Sequence, residues 1–69
     1  MEIVIHYQAV FEDDALALAR RLFAHFDESI DALTLVPVAE PEFDLHVDGR
    51  LIHSFAASAR PPRLADVLA

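Results

Sequence analysis

The sequence predicts an α/β (α+β) two-layer sandwich, in which a four-stranded mixed sheet carries its helices on one face. Three observations lead there. An alternating segment opens the chain, an amphipathic stretch follows it directly, and two further alternating segments are joined by Asp48-Gly49. The implied element order is β-α-β-β-β-α over a single domain, residues 1–69.

Glu2–Tyr7 places Ile3, Ile5 and Tyr7 on one side and Glu2, Val4 and His6 on the other, the signature of a half-buried strand. Gln8–Phe11 is a short connection. In Glu12–Phe26, a 100° advance per residue gathers Ala15, Leu16, Leu18, Ala19, Leu22, Phe23 and Phe26 on one arc, opposite Asp13, Asp14, Arg20, Arg21 and His25. Glu12, Asp13 and Asp14 sit at the N-terminus of this helix, where the macrodipole favours negative charge, and His25 lies near its end.

Ala32–Val36 reads as a second strand, stopped by Pro37. Phe43–Val47 and Leu51–Phe55 alternate on either side of Asp48-Gly49. That dipeptide specifies a type I′ hairpin, because both central residues need positive φ. Pro61-Pro62 precedes a short terminal helix over Arg63–Leu68. The first two strands should be parallel with a right-handed crossover. The hairpin should lie antiparallel beside strand one.

Composition narrows the function classes. The 69 residues contain no cysteine, which removes disulfides, zinc–thiolate and iron–sulfur sites and any thiol nucleophile. Net charge is −7, with five arginines and no lysine, so the basic footprint of a nucleic-acid binder is missing. An anionic membrane surface is disfavoured for the same reason. Met1-Glu2 leads straight into a strand with no signal-like segment, so a cytoplasmic location is expected. No cofactor is expected. A 55% apolar composition is high for so short a chain, and it anticipates a face covered by a protein partner or a second copy.

Tyr7, Leu35-Val36-Pro37 and Phe43-Asp44-Leu45-His46-Val47-Asp48-Gly49-Arg50-Leu51-Ile52-His53-Ser54 together resemble the selenoprotein W-like (Rdx) family of the thioredoxin-like fold. That family's first strand ends in Tyr-Cys-x-x-Cys, and its hairpin reads Phe-Glu-Val-x-Val-Asp-Gly-x-Leu-Ile-x-Ser. The resemblance implies the fold and puts Gln8 and Phe11 at the two redox positions. Neither can form the thiolate on which the family's chemistry depends. It also draws attention to Pro41, two residues before Phe43, where thioredoxin-like proteins often hold a cis-proline beside which a client segment pairs. Pro41 and Tyr7 are thus the candidate client-binding residues.

Strict alternation through the hairpin would pair Leu45 with Ile52 and Asp44 with His53. Phe43, Leu45, Val47 and Ile52 would then face the helices. His6, Asp44, His46, Leu51, His53 and Phe55 would share the open face. Two readings of that face follow. His6, Asp44, His46 and His53 are the residues from which a metal site would be drawn, or else simply its wet histidines. Val4, Val36, Leu51 and Phe55 form an apolar contact patch. A Ser54–His53 nucleophile is disfavoured, because neighbouring strand residues point to opposite faces. Phe11 is expected to be buried, stapling the helix start. The leading expectation is a protein-interaction domain that has lost its redox centre. A metal-handling protein or enzyme and an accessory subunit of an enzyme complex are the alternatives.

Overall fold

Ile3, Ile5 and Tyr7 alternate inward along β1 (Glu2–Gln8), and that alternation positions everything else. The computed structural model describes residues 1–69. A 3-10 turn (Ala9–Phe11) leads into α1 (Glu12–Phe26), and a second such turn (Asp27–Ser29) leads to β2 (Ala32–Val38). β3 (Phe43–Val47) and β4 (Arg50–Ser54) form the hairpin, followed by α2 (Phe55–Ser58) and α3 (Leu64–Leu68). The sheet order is β2-β1-β3-β4, with β1 parallel to β2 and antiparallel to β3. The predicted mixed sheet is therefore present, with the first strand inside it.

The core joins Ile3, Ile5, Tyr7, Phe43 and Leu45 of the sheet to Ala15, Leu18 and Leu22 of α1. Ala19 is also buried. The buried stripe of α1 is narrower than the expected arc. Leu16 and Phe23 remain 46% and 49% exposed, because one helix on a small sheet covers only the central positions of a wide apolar arc. Phe26 packs on the core margin. Pro37 does not end β2, which continues through it to Val38; an edge strand tolerates the missing amide.

Asp48 (φ 52°) and Gly49 (φ 78°) adopt the positive φ values the hairpin requires. The Asp48 turn is tied to the sheet, since its amide donates to the Glu2 carbonyl and its carboxylate accepts the Glu2 amide at 2.9 Å.

The hairpin departs from strict alternation at one point. His46 faces Leu51 and Val47 faces Arg50 as expected, but Leu45 then faces His53 and Asp44 faces Ser54. Ile52 is the extra residue of a β-bulge. One inserted residue reverses the phase of everything after it. His53 consequently points toward the helices and is 8% exposed, not on the open face. Phe55, expected on the open face, instead begins α2 and packs against the core. α2 had no periodic signal in the sequence.

Candidate functional site

Three regions hold the chemistry-bearing side chains. The first is the loop end of the sheet, where a redox pair would stand. Gln8 does not project as a reactive group: its side-chain amide donates to the Ala39 carbonyl at 3.0 Å, and its backbone amide to the Glu42 carbonyl at 2.9 Å. It ties the β2–β3 loop to the end of β1. The Phe11 ring stands 5.3 Å from Phe43 and 5.0 Å from Phe55, so it fills the space between sheet and α2. Gln8 and Phe11 are thus both taken up by structural contacts.

Of the two candidate client-binding residues, Tyr7 is 8% exposed and belongs to the core cluster. Pro41 is exposed, and every peptide bond in the chain is trans.

The second region is a polar cluster under the C-terminal segment, which sequence reasoning missed. Ala59 closes α2 in a left-handed conformation (φ 59°) that reverses the chain and brings the Arg60 carbonyl 2.8 Å from His53 Nε2. Ser58 Oγ also lies 2.8 Å from that nitrogen, while His53 Nδ1 faces Asp66 Oδ2 at 3.7 Å. Serine, histidine and aspartate in this order suggest a nucleophilic relay, but the hydrogen bonds argue otherwise. A carbonyl can only accept, so Nε2 carries the proton that it donates to Arg60. The Ser58 hydroxyl gives its own proton to the Ser54 carbonyl at 2.7 Å. The base nitrogen is already protonated and the hydroxyl already committed.

Asp66 anchors this cluster. The Arg60 guanidinium grips both carboxylate oxygens, at 2.6 and 3.1 Å, and the Arg63 amide donates to Oδ2 at 2.7 Å. The Asp66 pKa is lowered from an ordinary 3.8 to about 2, first by the hydrogen bond from Arg60, with the Arg63 amide and the nearby His53 adding to it against the opposing effect of burial. The arrangement clasps α3 to β4.

The third region is the sheet face away from the helices. Val4 pairs with His46 and with Thr34, His6 pairs with Asp44 and with Val36, and His46 pairs with Leu51. These side chains form one continuous surface across all four strands. Leu51 is its most exposed apolar group, at 52%. The His6 and His46 rings meet edge to face with centroids 5.2 Å apart. Asp44 Oδ1 and His46 Nδ1 are sealed from solvent without a hydrogen-bond partner.

The open-face set of His6, Asp44, His46 and His53 expected from the sequence is broken by the bulge, which leaves His53 on the opposite face. No three histidine or acidic side chains converge as a metal site would require. Replacing an orphaned polar group by an apolar one of similar shape is neutral or favourable. His46→Leu is therefore expected to hold or raise the melting temperature, read by circular dichroism. A clear fall would mean that His46 has a stabilising partner.

Helices on one side of a four-stranded mixed sheet, in this order, define a thioredoxin-like fold. Among solved structures, the selenoprotein W-related protein of Vibrio cholerae superposes with a TM-score of 0.87 and 20% identity, over 96% of this chain and 85% of that one. A protein of Bordetella parapertussis superposes with a TM-score of 0.86, also at 20% identity, over 96% of this chain and 86% of that one. The chain thus has the fold of selenoprotein W-related proteins, and it carries no cysteine. The sequence matches no protein-family model and no curated protein. No helix is long and apolar enough to cross a membrane.

Proposed function

We propose that this chain is a non-redox protein-interaction domain built on a thioredoxin-like scaffold, and that it binds its partner through the uncovered sheet face. One observation carries the reading: Gln8 and Phe11, which the family resemblance sets at the two redox positions, are committed to holding the loop and packing against the core. Thiol chemistry has no nucleophile here, while the scaffold around those positions is fully formed. What remains available is surface. The face of Val4, Val36 and Leu51, with His6 and His46, joins apolar groups to a few polar ones and is poor in charge, the composition of an interface centre.

Two measurements test this. Insulin reduction with a thiol donor should run at the buffer rate in the presence of the protein. A protein-dependent acceleration refutes the loss of redox function. Complexes should also be isolated at native expression and their partner identified. Leu51→Asp should abolish the complex while leaving the far-ultraviolet circular dichroism unchanged. A complex that survives Leu51→Asp, or that is lost only through changes on α1, places the contact elsewhere and overturns the reading.

A further inference from the structure

The distribution of charge around the open face says what kind of surface can cover it. Val4, His6, Thr34, Val36, His46 and Leu51 lie across its middle, where Asp44 is the one formal charge, and one oxygen of that carboxylate is sealed from solvent. At one end of the strands stand Glu2, Asp31 and Asp48, three carboxylates against the single ammonium of Met1, which pairs with Asp31 at 2.9 Å, so this end stays net acidic. The Asp31 amide donates to the Met1 carbonyl and the Asp48 amide to the Glu2 carbonyl. At the other end stand Glu40 and Glu42, fixed beside Gln8. The two acidic ends are separated by the length of β1, roughly 20 Å at the usual strand rise.

The arginines do not balance them. Arg20 and Arg21 belong to α1, and Arg60 and Arg63 to the C-terminal segment. Arg50 follows Gly49 in the hairpin but stands opposite Val47, on the helix side of the sheet.

A second copy of this chain fits poorly there. Both ends of the face are acidic, so whichever way two copies are turned along their strands, an acidic end meets an acidic end. The approaching copy also carries a net charge of −7. Like charges set opposite one another select against a partner. We propose that the occupant is a different protein, whose contact surface has an apolar centre flanked on both sides by lysines or arginines. This rests on the reading of the open face as the interface and names the chemistry of what binds it.

The test uses two synthetic peptides sharing one leucine- and valine-rich centre, one flanked by lysines and the other by glutamates. Each is titrated into the isotope-labelled chain and followed by amide shifts. The lysine-flanked peptide should shift the amides of Val4, His6, Thr34, His46 and Leu51. Its affinity should fall about tenfold or more from about 50 to about 300 mM salt, as screening removes the end charges. The glutamate-flanked peptide should not bind. Glu40→Lys with Glu42→Lys should weaken binding. Leu51→Asp should weaken it about tenfold or more, although it adds favourable charge, because the apolar centre is lost.

Each of four results overturns the proposal. In the first, affinity is unchanged or raised by Leu51→Asp, which means charge adhesion alone. In the second, the two peptides bind equally, or binding is indifferent to salt; this leaves the face an interface but removes its basic partner. In the third, sedimentation shows a dimer of the chain through this face, which makes a second copy the occupant. A face that neither peptide shifts removes this inference, and if the native complex also survives Leu51→Asp the interface reading falls with it.

Discussion

Leu22→Ala is expected to destabilise the domain by about 2–5 kcal/mol, the range for truncating a fully buried leucine. Leu22 has no exposed surface and sits in the cluster formed with Ile3, Ile5, Leu18, Phe43 and Leu45. The cavity has little chance to collapse, because β1 and β3 beneath it are locked into the middle of the sheet. A domain of this size typically loses about 4–8 °C in melting temperature per kcal/mol, so the midpoint should drop by roughly 10 °C or more. Phe23→Ala supplies the contrast. Phe23 is larger than the adjacent Leu22 yet 49% exposed, and its truncation should cost no more than roughly 1 kcal/mol. Thermal denaturation of both variants decides the point. Equal effects, or a larger one for Phe23, would show that the buried stripe of α1 lies elsewhere.

That contrast marks where the sequence ceases to specify the structure. Helical periodicity located α1 and its inward side, but the width of the buried stripe depends on how much sheet lies beneath it. The hairpin was legible through Asp48-Gly49, whose φ preferences leave few alternatives, and two-residue alternation then gave correct partners as far as Leu51. Beyond that, the inference assumed an unbroken ladder. Ile52 adds one residue, and the faces of His53 and Phe55 invert together.

The candidate site suffered most from that inversion. The open-face row of histidines lost one member, and a buried cluster gained it. The cluster itself was invisible because His53, Ser58, Arg60 and Asp66 meet only through the left-handed turn at Ala59, and alanine gives no sign of such a turn. The close spacing of these polar residues after Ser54 was the one available signal. By contrast, the wording of the neighbouring strand drew attention to Gln8 and Phe11 without telling that one ties the β2–β3 loop and the other packs against Phe43 and Phe55.

Asp66→Ala is expected to loosen the C-terminal segment, and its effect should depend on pH in a defined direction. The substitution removes the paired hydrogen bonds from Arg60, the acceptor for the Arg63 amide at the start of α3, and the carboxylate facing His53. Bonds to a charged group contribute about 1.5–3 kcal/mol, and Arg60 is partly exposed, so a loss near the lower end, about 1–2 kcal/mol, is expected at neutral pH. The Asp66 carboxyl has a folded-state pKa of about 2, below its ordinary 3.8. A depressed carboxylate pKa contributes stability that is present above the unfolded value and lost as pH falls toward the folded one. The contribution should therefore be complete at pH 5 and above, decline from about pH 4, and be largely gone near pH 2. The parent and Asp66→Ala should differ in denaturation midpoint by a constant amount from pH 5 to 7, then converge in acid. Hydrogen exchange should place the loss in residues 55–69, with β1 and β3 protected as before. A difference that stays constant down to pH 2, or equal deprotection of β1, would show that Asp66 acts through the core and does not clasp α3 to β4.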